Sequence, residues 1–312
     1  MRNVALPVDK RLLESELTDE IFVRDTNKGG REIYIFTGKQ APYLMQEVGR
    51  LREISFREAG GGTGKEVDID KFDTAETPFK QLIVWDKEEN EIVGGYRFLM
   101  GKNMPSKDGS MPQTPTAKLF EFSRAFIENY WSQTIELGRS FVQPAYQPSV
   151  NLRKGMYSLD NLWDGLGALI VLNPDMKYFF GKFTMYPDFE PQARDLIIAF
   201  LMKYFPDTEN LVFPKSNLKL EYKSPNIEEL IKIFVATTYA DNYKILNKEV
   251  RRLNENIPPL VNAYMNLSST MKTFGTAVNS GFGDVEETGI LITIPDITSG
   301  KARRHIDSFV RE

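Results

Sequence analysis

The sequence predicts an α/β protein whose central sheet is mostly antiparallel, and three observations lead there. Runs rich in β-branched and aromatic residues, such as EIYIFT (32–37) and KYFFGKFTMY (177–186), alternate with stretches of helical periodicity. Gln81–Asp86 and Glu91–Met100 are separated only by the polar residues Lys87–Asn90, which makes them a β-hairpin and sets neighbouring strands antiparallel. The stretch Ile135–Val171 reads as a short strand, a cationic loop with one glycine, and a helix. That arrangement is able to present backbone N–H groups at a helix N-terminus to a phosphate, although an ordinary strand-to-helix connection has the same outline.

Taken in order, residues 1–32 are polar and charged and read as an arm or leading helix. A helix fits Tyr43–Glu58, with Leu44, Val48, Leu51 and Ser55 along one line. Ala59–Lys65 (AGGGTGK) is a flexible loop. It is not a P-loop, because Ala59 stands at the first glycine position and Glu66 where Ser or Thr is needed. The acidic turn Asp68–Asp73 lacks the glycine and distal glutamate of a calcium loop. Leu119–Phe126 alternates as a strand, and Leu159–Leu172 carries Leu162, Trp163, Leu166, Leu169 and Ile170 at the spacing of a buried face. Pro191–Phe205 is an amphipathic helix, Ile227–Thr237, Ala240–Asn254 and Leu260–Met271 are helical, and Glu287–Pro295 is a late strand. The basic tail Lys301–Arg311 gathers Lys301, Arg303, Arg304 and His305.

Composition limits the chemistry. The chain has 312 residues, 41% hydrophobic and 26% charged, with a net charge of -4. These values describe a globular protein and give no basic surface for nucleic acid. No apolar run reaches the length of a membrane span and the N-terminus lacks a signal peptide's apolar core, so a cytoplasmic location is expected. There is no cysteine and one histidine, His305. Thiol nucleophiles and multi-histidine metal sites are thereby excluded within one chain, and no metal site is assigned. Acid–base work falls to carboxylates, Tyr, Lys, water or His305, which favours a reaction whose substrate arrives already activated.

An ordered set of motifs carries a resemblance. It comprises Arg52 and Phe56 in the first helix, the acidic Asp68, Asp70 and Asp73, Arg97 in GGYR, Glu121 and Ser123 in FEFS, and Glu136 with Arg139 in ELGRSFV. The helix LWDGLGALI, the strand YFFGKFTM, Ile257–Leu267, Phe282–Gly283 and Arg304–His305 follow. With these the chain resembles the GNAT superfamily of acyltransferases, from about Glu32 to Phe309. Within it the chain looks closest to the acyl-carrier-protein-dependent branch, the ornithine-lipid and glycine-lipid type N-acyltransferases sometimes labelled hemolysin-like. Acyl-homoserine-lactone synthases are more distant. The chain departs from the pattern in Ser268–Ser269, where a glycine is usual, and in the single glycine of the loop Arg153–Met156.

The resemblance implies a GNAT-type twisted sheet flanked by helices, with an arm over 1–31, the acyltransferase core over 32–223, and a C-terminal helical elaboration over 224–312 that completes the sheet. It implies transfer of a fatty acyl group from a phosphopantetheine thioester, on acyl carrier protein rather than free coenzyme A, to the α-amine of a small amino acid such as glycine or ornithine. No permanently bound cofactor is needed. Glu136 is the expected general base; on a regular strand it and Arg139 face opposite sides and pair with others. Arg139 and Glu121 are the further catalytic candidates, though Glu121 also fits an outward-facing strand residue. Arg153, Lys154, Gly155 and Met156 are expected at the phosphopantetheine phosphate. Arg52, Arg97 and Arg139 with Asp68, Asp70 and Asp73 are expected to form a charged network that either holds the amino-acid acceptor or pins the first helix to the sheet. Trp163, Leu166, Phe179 and Phe180 read as core. His305 reads as a surface or phosphate-facing residue, and Lys301, Arg303 and Arg304 as a solvated tail or a contact for an acidic carrier or the inner face of the membrane. Acyl-homoserine-lactone-like synthesis and a non-catalytic thioester- or lipid-binding module are the alternatives.

Overall fold

A computed structural model of the chain describes residues 1–224 and 226–310. Pro225, inside the expected C-terminal elaboration, Arg311 of the basic tail and Glu312 lie outside the described residues. The strands are β1 Phe22–Asp25, β2 Glu32–Phe36, β3 Lys80–Asp86, β4 Glu91–Met100, β5 Phe120–Phe122, β6 Thr134–Val142, β7 Tyr178–Met185, β8 Val212–Pro214, β9 Lys272–Asn279 and β10 Val285–Thr293. The helices are α1 Lys10–Glu16, α2 Pro42–Glu58, α3 Lys71–Thr74, α4 Arg124–Asn129, α5 Leu152–Gly155, α6 Ser158–Leu172, α7 Pro191–Tyr204, α8 Ile227–Ile231, α9 Tyr239–Arg252, α10 Pro259–Met265 and α11 Ser299–His305. The expected architecture, α/β with a mostly antiparallel sheet flanked by helices, is what forms.

The chain divides into two compact units. The first holds Met1–Pro105, Trp131–Phe179 and the tail from Thr298; the second holds Ser106–Tyr130 and Phe180–Ile297. This division does not follow the boundaries at residues 31 and 223 expected from the sequence. The reason is that each unit is built from segments far apart in the chain, and the 1–31 stretch supplies both α1 and β1 to the first unit.

In the first unit β1, β2, β3, β4 and β6 lie side by side, antiparallel at every pairing. Side chains alternate between its faces. Gln81, whose amide oxygen accepts from Arg52, points to the α2 side. Its neighbour Leu82 points the other way, against Gly165 of α6. Leu44, Val48 and Leu51 of α2 and Leu162, Leu166 and Leu169 of α6 are buried, each contributing about 1.5 to 3 kcal/mol of apolar transfer. Trp163 and Phe179 are buried here as expected, and Phe180 is buried in the second unit.

In the second unit β10 and β9 form an antiparallel pair whose register shifts between Thr288 and Ile290, and β5 pairs with β8 in a small second sheet. Phe122, Phe126 and Phe274 converge on Phe180, while Phe234 and Tyr239 meet Phe200 of α7.

Four local readings are corrected. Phe22–Asp25 is an edge strand, in a stretch too charged to show the alternation. The strand read over Leu119–Phe126 stops at Phe122, because the Ser123 hydroxyl accepts from Phe126 N at 3.2 Å and caps α4. The helix read over Leu260–Met271 ends at Met265, and β9 follows, its period interrupted by Gly275 at φ 80°. His305 is buried rather than on the surface, with Nδ1 2.7 Å from Asp164 Oδ1 on α6.

Candidate active site

The segment 68–73 is shaped by its own backbone before any arginine meets it. Asp68 N donates to Gly49 O of α2 at 2.9 Å. Asp70 caps α3, accepting from Phe72 N at 2.8 Å, while Asp73 Oδ2 accepts from Asp70 N at 3.0 Å. This reciprocal cap fixes both carboxylates over the α2 face of the sheet.

Onto that face β3, β4 and β6 present Gln81, Arg97 and Gly138, in register with one another. Arg97 Nη1 lies 3.0 Å from Asp70 Oδ1 and 3.0 Å from Asp73 Oδ2, and Nη2 lies 3.1 Å from Asp70 Oδ2. Arg52 of α2 reaches Asp73 Oδ1 at 3.4 Å, and Gln81 Nε2 donates to the same oxygen at 3.1 Å. Arg52 and Arg97 are 0% and 1% exposed, so each cation is compensated inside the protein, as a buried charge must be. Burial opposes the charge of the Asp70 carboxylate, but the adjacent Arg97 guanidinium outweighs it and holds the carboxyl down at about 2. Burial likewise opposes the charge of Arg97, and Asp73 and Asp70 outweigh it, so its pKa stands above the ordinary arginine value. Arg52, with fewer acidic neighbours, is lowered by burial. The structure therefore links Arg52, Arg97, Asp70 and Asp73 of the expected network directly, while Asp68 pairs with Arg139.

Arg139 is reached by a β-bulge. Arg97 pairs with Gly138 and Gly95 with Phe141, so Arg139 and Ser140 together face the single Tyr96. Arg139 sits at φ 51°, in the left-handed region that non-glycine residues rarely adopt. The bulge turns its side chain to the α2 face, where Nε lies 2.6 Å from Asp68 Oδ2 and the guanidinium stands 5.9 Å from the Phe56 ring. Glu136, two residues from Gly138 on the same strand, shares that face and is 1% exposed. The expectation that Glu136 and Arg139 face opposite sides is thus overturned, since the extra residue breaks the two-residue period. Gly138 leaves open the space above Arg97, where an added Cβ would come no closer than 3.8 Å to its Nε.

The expected phosphate loop is a helical turn, α5, leading into α6. Asn151 caps it, accepting from Lys154 N at 3.1 Å. Gly155 is required by close approach, because a Cβ there would stand 2.5 Å from Pro148 N. Arg153 and Met156 are exposed, while Lys154 Nζ is 3.0 Å from Glu89. Glu121 lies in the second unit, exposed on β5 opposite Phe213, and is not a member of the buried cluster. In the tail, Arg304 pairs with Asp160 of α6.

Sequence reasoning missed three supporting groups. Gln81 reads as an ordinary strand residue, yet it bridges Arg52 and Asp73. Arg31, assigned to the arm, is buried over the Tyr146 ring at 5.0 Å, with Nη1 3.0 Å from Asn161 Oδ1 and Nη2 on Lys154 O. Glu53 fills the glycine loop that resembles a phosphate cradle: its carboxylate accepts from Thr63 N at 3.0 Å, Gly64 N at 2.7 Å and Arg57 Nε at 2.7 Å. Burial opposes the charge of Glu53, yet these donors keep its pKa below the ordinary glutamate value. No local signal marks Gln81 or Arg31; the departure of the loop from the P-loop pattern marks the third.

Residues 51–154, which include every member of this cluster, match the acetyltransferase (GNAT) domain family. Two curated proteins named glycine N(alpha)-acyltransferase are similar along almost their whole length. The one from Bacteroides thetaiotaomicron is 54% identical over 99% of this chain and 91% of its own. The one from Phocaeicola vulgatus is 51% identical over 100% of this chain and 95% of its own. No solved structure matches the chain. Identity above one half across nearly the full length means that the chain belongs to the GNAT acyltransferases and is an acyltransferase enzyme.

Proposed function

We propose that the chain transfers a fatty acyl group from the phosphopantetheine thioester of an acyl carrier protein to the α-amine of glycine, giving an N-acylglycine for aminolipid synthesis. The observation that carries this reading is the near full-length similarity to two proteins named glycine N(alpha)-acyltransferase. Thioester aminolysis needs no enzyme nucleophile, which suits a chain with no cysteine. The glycine nitrogen, once deprotonated, attacks the thioester carbonyl; a C–N bond forms, the C–S bond breaks, and the pantetheine thiolate takes up a proton.

Glu136 takes the amine proton, directly or through water, from its buried place on β6. Arg52, Arg97, Asp68 and Asp73 form the rigid frame of the acceptor site. Asp70 and Arg139, whose side chains keep 23% and 14% exposure, are the members with an edge available to the ammonium and carboxylate of the amino acid. Arg153, Lys154, Gly155 and Met156, at the entry to α6, receive the phosphopantetheine phosphate.

The test supplies the purified chain with a long-chain acyl carrier protein or the matching acyl-CoA, each with glycine, ornithine, lysine, serine or glutamine, and reads product by mass spectrometry. N-acylglycine formed faster from the carrier-protein donor, and lost in Glu136→Gln, is the expected result. A folded protein that releases thiol with another amine, or prefers acyl-CoA, overturns the acceptor or donor assignment respectively.

A further inference from the structure

The entry to α6, where the acyl-transfer reading sets the phosphopantetheine phosphate against Arg153 and Met156, also carries an apolar surface. Val150, Leu152 and Met156 are 67%, 69% and 56% exposed, and Leu159 is 37% exposed. Leu152 lies on α5, Met156 on the turn that follows it and Leu159 in the first turn of α6. Large apolar side chains exposed together in this way mark an interaction surface.

The exposure is held in place from behind. Gly155 packs directly on the backbone of Gln147–Pro148, and the buried Arg31 donates to Lys154 O. Lys154 itself lies over the buried Tyr146 ring at 5.3 Å. The turn is therefore fastened with its polar and glycine side inward and its leucine, valine and methionine outward.

Charge selects the partner. From Leu137 to Leu159 the chain carries Arg139, Arg153 and Lys154 and no Asp or Glu, although the whole chain has 43 acidic residues against 39 basic. Exposed Arg153 stands between Leu152 and Met156 in the chain, and exposed Lys28 lies 5.7 Å from the Tyr157 ring. Glu89 and Asp160 are already paired with Lys154 and Arg304. The face thus offers exposed apolar side chains with exposed Arg153 among them in the chain and exposed Lys28 near the Tyr157 ring. A protein partner needs a shaped counterpart to such a turn, whereas a bilayer interface accepts the side chains without complementary shape and supplies anionic headgroups to the cations.

We propose that Val150, Leu152, Met156 and Leu159, with Arg153 and Lys28, seat this chain on an anionic lipid surface. No helix among the described residues is long and apolar enough to cross a membrane. The contact is peripheral: the apolar side chains enter the headgroup boundary and the cations stay at the phosphates.

The experiment is flotation of the full chain, without substrate, on vesicles of phosphatidylcholine alone or with about a third phosphatidylglycerol, at low and high salt. Omitting substrate makes the outcome independent of whether glycine is the acceptor. Binding to the anionic vesicles, weakened by salt, and a loss of at least tenfold in Val150→Ser/Leu152→Ser with unchanged Tm is the expected result. Leu152→Trp supplies a second readout should the serine pair fold poorly. The native Trp85, Trp131 and Trp163 are buried, so a blue shift on adding anionic vesicles reports the new side chain alone. Absence of vesicle binding, equal binding by the serine variant, or an unshifted emission from the Leu152→Trp variant overturns the proposal. So does loss of carrier-protein affinity in the serine variant without any vesicle binding, which assigns the face to the carrier.

Discussion

Arg139 Nε lies 2.6 Å from Asp68 Oδ2, joining a bulged residue of β6 to a loop anchored on α2. Beside it stands the ionic cluster Asp70–Arg97–Asp73–Arg52, and the two form a frame that ties α2, the acidic segment, β4 and β6 together on the face that also holds Glu136. Glu136, the general base proposed above, shares this face with charges that cannot relax into water.

The frame makes stability depend on charge balance more than on any one contact. Arg97→Met leaves Asp70 without its cation and Asp73 with Arg52 alone, and removing one partner of a buried pair costs about 3 to 5 kcal/mol. Arg97→Lys recovers only part of that, since an ammonium cannot serve three carboxylate oxygens through a planar fork. Urea unfolding of both variants checks the order, wild type above Lys above Met.

Asp70 sets an acid limb. Its folded-state carboxyl, at about 2, lies below the ordinary 3.8, so its contribution is fully present above that value and lost as pH falls towards 2. Allowing for its partial exposure to solvent, the contribution is about 1 to 2 kcal/mol. In Asp70→Asn this limb should flatten between pH 4 and 2, while stability at pH 7 drops. Thermal melts across that range measure both.

Glu136→Gln keeps the size and one acceptor oxygen but replaces the basic oxygen with an NH2 donor. Loss of a general base lowers kcat by about 10² to 10⁴, with donor KM and Tm little changed. Steady-state kinetics with a long-chain thioester and glycine, beside a melting curve, separates this from a structural defect. An equal fall in Tm and activity would make Glu136 a member of the frame instead.

Gly155→Ala puts a methyl group 2.5 Å from Pro148 N, so α5 has to move away from the turn behind it. Overpacking of this kind costs about 1 to 3 kcal/mol. Because Arg153, Lys154 and Met156 ride on that turn, the donor KM should rise while the glycine KM holds. A KM for both substrates, measured on the folded variant, tests the split.

Much of the layout was legible because it rests on local pattern. The hairpin of β3 and β4 and the amphipathic α2, α6 and α7 follow from periodicity and turn chemistry, while the motif set with Arg52, Asp68–Asp73, Arg97, Glu136 and Arg139 was picked out by its resemblance to the GNAT acyltransferases. The absence of cysteine and the single histidine already turned the chemistry towards a substrate that arrives activated. What the tertiary structure alone decided are relations across long sequence separations. Asp73 finds Arg97, Arg52 finds Gln81, Arg31 backs the α5 turn, and His305 is buried against Asp164. The bulge at Arg139 belongs to the same class: a single residue at positive φ reverses which face its side chain takes, and only pairing with β4 makes that extra residue visible. Sequence period assigns faces only while the ladder is regular; where one strand carries more residues than its neighbour, the partner strand decides.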